Sequence, residues 1–194
     1  SSAFIYITKY AIAGWGVLFL QKARGFELAA ASQVIAFSAI FGIMGTVLAG
    51  WLSDKVFKGD RVKPAVLSGI ISTSSLILFL FVGGGFILNI FYVSLFSLSV
   101  GVLYCIVAGL MAVDIVPRKA TGAALGVVGI SSYVAAGLQD ITSGYLIQYN
   151  TSVVDGVDVY DFGPVSWFWL AAAVISFILP VLNWKKMTKT NSKT

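Results

Sequence analysis

The chain has 194 residues, of which 58% are hydrophobic and 11% charged, and its mean hydropathy is +0.93. A soluble domain carries about a quarter charged residues, so composition alone assigns an integral membrane protein. The formal net charge of +5 gives no reason to expect nucleic acid as a partner, because the cations sit in inter-helix loops and the tail. With no histidine and one cysteine, Cys105, neither a disulfide nor a metal framework can form within one chain. Cys105 itself lies in an apolar run and reads as a small hydrophobe.

A transmembrane helix needs about 20 mostly apolar residues to cross ~30 Å of hydrocarbon. Six stretches qualify, over about residues 3–20, 29–51, 64–82, 86–113, 121–147 and 164–184. The expected fold is therefore an all-α six-helix membrane bundle, one domain over residues 1–194. Each break has a visible cause. Gln21 to Glu27 is a short polar loop, and Gly50 to Lys63 is a dense block of charge. Pro64 suits the first turn of span three, where its missing N–H costs nothing. Gly83-Gly84-Gly85 makes a turn, Pro117-Arg118-Lys119 interrupts the chain again, and a loop with Asp155, Asp158 and Asp161 leads to Pro164. No signal peptide with a cleavage site is visible.

Charge fixes the expected orientation. Lys55, Lys58, Arg61 and Lys63 follow span two, Arg118 and Lys119 follow span four, and Lys185, Lys186, Lys189 and Lys193 close the chain. Together these are ten of the thirteen cations, while the opposite loops hold Lys22, Arg24 and the three aspartates. Cationic loops resist translocation, so both termini are expected on the cytoplasmic side. Small residues in span two (Gly42, Gly45, Ala49, Gly50) and span five (Gly122, Gly126, Gly129, Gly137) would allow close backbone approach. They serve ordinary helix packing or sliding in a rocking cycle.

The thirteenth cation, Lys9, lies within span one, ~16 Å below its outer end at 1.5 Å per residue. Charge at such depth faces a watery cavity or a partner, or snorkels to an interface. Asp140 lies ~12 Å below the outer end of span five, within reach of a long side chain from Lys9. The two either pair or are unrelated polar contacts, and Gln139 is an alternative functional neighbour. Tyr6 shares the face of Lys9, Tyr10 follows it, and Tyr104 and Tyr133 add hydroxyls at membrane depth. A cation among neutral donors suits a phosphate or carboxylate. At the cytoplasmic side, Asp54, Lys55 and Arg61 form one charged cluster, and Asp114 with Arg118 and Lys119 a second. They read as a gate of ion pairs and helix caps, or as solvated loops.

The pattern Gly50-x-x-x-Asp54-Lys55-x-x-x-Gly59-x-Arg61 resembles the short loop of major facilitator superfamily transporters. Three further stretches narrow the likeness: Lys9-Tyr10 with Trp15, Asp114-Ile115-Val116-Pro117-Arg118-Lys119-Ala120-Thr121-Gly122, and Gly126-Val127-Val128-Gly129 with Tyr133. Together they resemble the C-terminal half of the organophosphate:phosphate antiporters, the glycerol-3-phosphate, hexose-phosphate and glucose-6-phosphate transporters. The resemblance implies alternating access between two six-helix halves, with phosphate held by one basic residue from each. Bacterial antiporters of this group usually carry arginine where Lys9 stands. Lysine there is similar to the microsomal glucose-6-phosphate translocases, and it gives up the bidentate fork of arginine. Val102-Leu103-Tyr104 replaces an aromatic–glycine–proline turn, so span four is expected straighter, or Tyr104 reaches the cavity.

The expected function is exchange of a phosphorylated organic anion for inorganic phosphate, with no cofactor and no metal. Lys9 would bind phosphate, Asp140 would be its counter-ion or proton site, and Asp54, Arg61 and Asp114 would latch the cytoplasmic face. The implied partners are substrate, phosphate, the bilayer and an N-terminal six-helix half, with a bacterial inner membrane the expected location. No nucleophile–base constellation suggests an enzyme. Alternatives are a transporter-like sugar-phosphate sensor, a proton-coupled facilitator for another anion, and a purely structural bundle.

Overall fold

The computed structural model describes residues 1–191 apart from 59, 115 and 155. Asp155 and Lys193, both part of the charge count above, lie outside the described residues. Hydrocarbon offers no partner to a backbone N–H or C=O, so a chain this apolar satisfies those groups within helices. The elements are α1 (Ser2–Arg24), α2 (Leu28–Trp51), α3 (Val62–Ile77), α4 (Phe86–Tyr104), α5 (Met111–Asp114), α6 (Thr121–Tyr149), the strands β1 (Thr151–Val154) and β2 (Val157–Tyr160), and α7 (Gly163–Asn191). Turns of π-helix extend α2 over Leu52–Val56 and α3 over Leu78–Val82, and join α4 to α5 over Cys105–Leu110. Six helices in all are long and apolar enough to cross a membrane, among the described residues.

Span four was expected either straighter or with Tyr104 reaching the cavity. It widens into π-helix immediately after Tyr104, and one extra residue per turn there rotates everything that follows.

The helix ends show why the breaks fall where they do. Gly25 closes α1 in the left-handed conformation at φ 70°, with Lys22 and Arg24 in the last turn opposite the negative end of the helix dipole. Arg24 also crosses to α3. Its Nη2 donates to the carbonyl of Leu80 at 2.8 Å, capping the end of span three beside Gly83, whose φ is +68°. At the start of α3, Asp60 accepts hydrogen bonds from the amides of Val62 and Lys63 at 2.9 and 3.3 Å, a capping arrangement. The loop before α7, which the sequence showed only as polar, folds into an antiparallel hairpin pairing Thr151 with Tyr160 and Val154 with Val157.

Packing joins α2 to α4 most closely. A Cβ on Gly45 would collide with the Leu98 carbonyl, and one on Gly101 with the Gly42 carbonyl, so the two backbones touch where only glycine fits. Gly69 of α3 lies under Phe177 of α7 in the same way. The glycines of span five behave differently: a Cβ on Gly122, Gly126, Gly129 or Gly137 would meet nothing within 4 Å. Close approach is permitted there and not taken. The core runs through α1, α3, α4 and α7. It holds Ile5, Ile12, Leu76, Val93 and Trp169, and the rings of Phe19, Phe79 and Phe162, with Phe19 tilted against Phe79 and edge-to-face with Phe162 at centroid distances of 5.3 Å each. By contrast, α6 and α2 are the least buried of the six spans, and α6 presents Ile130, Val134, Leu138, Ile141 and Tyr145 outward.

Candidate functional site

Helix α1 carries Tyr6, Lys9 and Tyr10 within little more than one turn, α4 ends on Tyr104, and α6 brings Tyr133 against them. The five side chains form one cluster across three helices. The Lys9 ammonium lies 5.8 Å from the ring centroids of Tyr6 and Tyr10 and 5.4 Å from that of Tyr104. Tyr6 is its hub: its hydroxyl donates to that of Tyr104 at 3.1 Å, and its ring lies 5.6, 5.4 and 5.3 Å from those of Tyr10, Tyr104 and Tyr133. Each cation–π contact contributes about 0.5–1 kcal/mol where water still reaches the cation. Tyr6 is buried, while Lys9 and Tyr133 are exposed.

This packing matters electrically. The aromatic faces steady the ammonium without neutralising it, and no carboxylate among the described residues forms an ion pair with it. An uncompensated cation at this depth is a ready oxyanion partner.

Asp140 does not pair with Lys9. Its carboxylate lies beside Gly14, where an added Cβ would stand 3.5 Å from Oδ1. Gly14 is five residues beyond Lys9 along α1, roughly 7.5 Å at the helical rise. The carboxylate is level with a different stretch of the neighbouring helix, toward its end at Arg24. Gln139 also stands apart from the cluster. It is fully buried toward α7, where its Nε2 donates to Ser143 Oγ at 2.8 Å, and Trp169 Nε1 donates to the same oxygen at 2.9 Å. Consecutive helical residues point about 100° apart, and here that separates an inward amide from an outward carboxylate.

A groove of about 380 Å³ opens beside Lys9 between α1, α2 and α4, with Ile12, Ala39, Gly42, Phe96, Ser97 and Tyr104 among its walls. That falls at the small end of the range for ligand sites, roughly 300–1,000 Å³. Nothing in the sequence marks this groove, because α2 contributes only small and aliphatic residues to it.

At the other end of the bundle, Arg61 gathers the charges of the loops after spans two and four into one network. Its Nη1 donates to Ser53 Oγ at 2.6 Å and to Asp54 at 2.8 Å, and its Nε donates to Asp114 at 3.3 Å. Asp114 was expected beside Arg118 and Lys119; it pairs with Arg61 instead, so the two predicted clusters are one. Lys55 and Arg118 are exposed and form no ion pair among the described residues. Ser53, which the sequence did not single out, is buried at the centre of this network.

The sequence profile of the Major Facilitator Superfamily matches residues 1–139. The chain belongs to the Major Facilitator Superfamily. As a superfamily member with six apolar helices it is an integral, multi-pass membrane protein. It is 31% identical over 136 residues to the glycerol-3-phosphate transporter of Bacillus subtilis, a match covering 69% of this chain and 30% of that protein. It is 30% identical over 138 residues to the membrane sensor protein UhpC of Escherichia coli, covering 69% and 30%. A probable hexose phosphate transport protein of Chlamydia trachomatis is 27% identical over 190 residues, 95% of this chain and 38% of its own length. These superfamily relatives bear out the likeness to the organophosphate:phosphate antiporters, and they are named as transporters and a sensor, not as enzymes. The chain spans about a third of their length.

Proposed function

We propose that this chain is the C-terminal half of an organophosphate:phosphate exchanger working by alternating access. Lys9 binds the phosphate group of either substrate, and Tyr6, Tyr10, Tyr104 and Tyr133 position the ammonium and supply hydroxyls around it. The observation that carries this reading is the Lys9 ammonium held by three neutral rings with no carboxylate partner among the described residues. Such a charge is stable in the empty state and still free to bind an oxyanion. A second six-helix half covers the exposed faces of α2 and α6 and brings the opposing basic residue. The Arg61 network latches the cytoplasmic ends and breaks when the halves rock apart. Both ends of the bundle face the cytoplasm of a bacterial inner membrane.

In this scheme Asp140 is not the resting counter-ion of Lys9. As an exposed carboxylate at membrane depth it serves as a proton site, a role that would extend exchange to proton-coupled transport.

The likeness to UhpC favours a second reading, a sensor that binds a phosphorylated ligand without moving it. Counterflow separates the two. The whole protein that carries this chain is reconstituted into phosphate-loaded vesicles, and uptake of labelled phosphate is followed. Exchange accelerated by internal phosphate is the expected result. Ligand binding with no exchange would make it a sensor, and uptake driven by a pH gradient regardless of internal phosphate would make it a proton-coupled facilitator.

A further inference from the structure

The groove beside Lys9 is unevenly furnished. Among the described residues its one charge is the ammonium at one end, over the Tyr104 ring, and no carboxylate or carboxamide lines it. Three serine and threonine hydroxyls do, but two are committed. Ser38 donates to the carbonyl of Ile35 at 2.6 Å and Thr46 to that of Ile43 at 2.7 Å, which leaves only oxygen lone pairs facing the groove. Of these three, Ser97 keeps its O–H uncommitted among the described residues. The remaining wall is aliphatic or aromatic, with Ala39 and Gly42 on one side and Phe96 opposite.

Gly42 adds a second observation. Helix crossing demands glycine at Gly45 and Gly101, where a side chain would strike backbone. At Gly42 an added Cβ would stand 3.8 Å from the Ser97 carbonyl oxygen, an ordinary contact. The space in front of Gly42 is therefore groove volume and not a packing requirement.

We propose, resting on the phosphate-exchange reading above, that this groove takes the organic part of the phosphorylated substrate, and that Ala39 and Gly42 make it selective for a short, sparsely hydroxylated moiety over a hexose. The phosphate sits at Lys9 and the carbon skeleton lies along α2. A three-carbon skeleton places its few hydroxyls against Ser97 and the lone pairs of Ser38 and Thr46, with its C–H faces on Ile12 and Phe96. A hexose carries more hydroxyls than this wall has partners, and each one buried unpaired weakens binding roughly tenfold or more. An ammonium-bearing moiety is disfavoured too, since no anion in the groove receives it.

The test uses the whole protein in vesicles loaded with labelled phosphate, with external phosphate, glycerol 3-phosphate or glucose 6-phosphate as the driver of efflux. The wild type is expected to respond to glycerol 3-phosphate about tenfold more strongly than to glucose 6-phosphate. Filling the groove with Gly42→Ala and Ala39→Leu together should cut the glycerol 3-phosphate response about tenfold relative to phosphate self-exchange. Ile43→Ala trims an exposed groove residue that no core contact needs, and should raise the glucose 6-phosphate response relative to phosphate. If the filling variant fails to fold, Ile43→Ala decides alone. A wild type that prefers glucose 6-phosphate, or response ratios unmoved by these substitutions, overturns the proposal. Self-exchange that survives Lys9→Gln while the size ratios still move would sink the phosphate reading and leave the groove assignment standing.

Discussion

Replacing Arg61 with methionine keeps most of its volume and removes its hydrogen bonds, and the structure allows the cost to be worked out. Arg61 is 22% exposed, whereas Asp54 and Asp114 are 64% and 52% exposed, so each ion pair is largely solvated and contributes about 0.2–1 kcal/mol. The bond to Ser53 differs, because that hydroxyl is fully buried and loses a charged partner at 2.6 Å, a loss of about 1–2 kcal/mol. Arg61→Met should therefore destabilise the protein by about 2–3 kcal/mol. Asp114→Asn should cost less than about 1 kcal/mol. Arg61→Lys should fall between them, since one ammonium cannot reproduce separate Nη1 and Nε contacts. Thermal unfolding in detergent, followed by circular dichroism, gives the order. Salt should shrink the Asp114→Asn effect and leave most of the Arg61→Met effect, because only the exposed pairs are screened. If Asp114→Asn costs as much as Arg61→Met, or Arg61→Lys costs nothing, the buried serine is not the anchor and the reasoning fails.

Two further outcomes follow from the packing and the loop. Gly101→Ala should cost several kcal/mol, because its methyl would strike the Gly42 carbonyl, while Gly126→Ala on α6 should be neutral or stabilising; equal effects in thermal unfolding would contradict the packing described. Burial pushes the Asp60 carboxyl up, but the amides of Lys63 and Val62 and the Lys63 ammonium outweigh it and hold it below the usual carboxylate range. Its contribution is present at neutral pH and is lost as pH falls below that range through its lowered value. Asp60→Asn should therefore flatten the acid limb of the stability–pH curve, and an unchanged limb would argue against this cap.

The sequence made the spans legible because twenty-residue apolar runs have few other uses, and it made Lys9 legible because a lone cation in such a run is costly. The tyrosine cluster was half legible. Tyr6 and Tyr10 follow from helical spacing, but Tyr104 and Tyr133 needed the bundle to bring them in. Depth is the coordinate that sequence supplies for a membrane helix; direction around the axis is not. The depths estimated for Lys9 and Asp140 put them within reach, yet Asp140 lies beside Gly14, and Gln139 turned inward to Ser143 and Trp169. The glycines teach the same lesson. A small residue permits close approach, and the facing helix decides whether it happens, as it does at Gly45 and does not at Gly126. The hairpin at Thr151–Tyr160 hid behind its aspartates, although the valines at 153, 154, 157 and 159 favour strands. The π turn after Tyr104 has no sequence signature that separates it from ordinary apolar helix.

The account rests on Lys9, and phosphate counterflow by Lys9→Gln and Lys9→Arg forms of the whole protein tests it most directly. Glutamine keeps the length and loses the charge, so exchange should fall roughly 30-fold or more with the protein still folded, while arginine should keep exchange measurable. Wild-type exchange by Lys9→Gln would contradict the claim that this ammonium holds the phosphate.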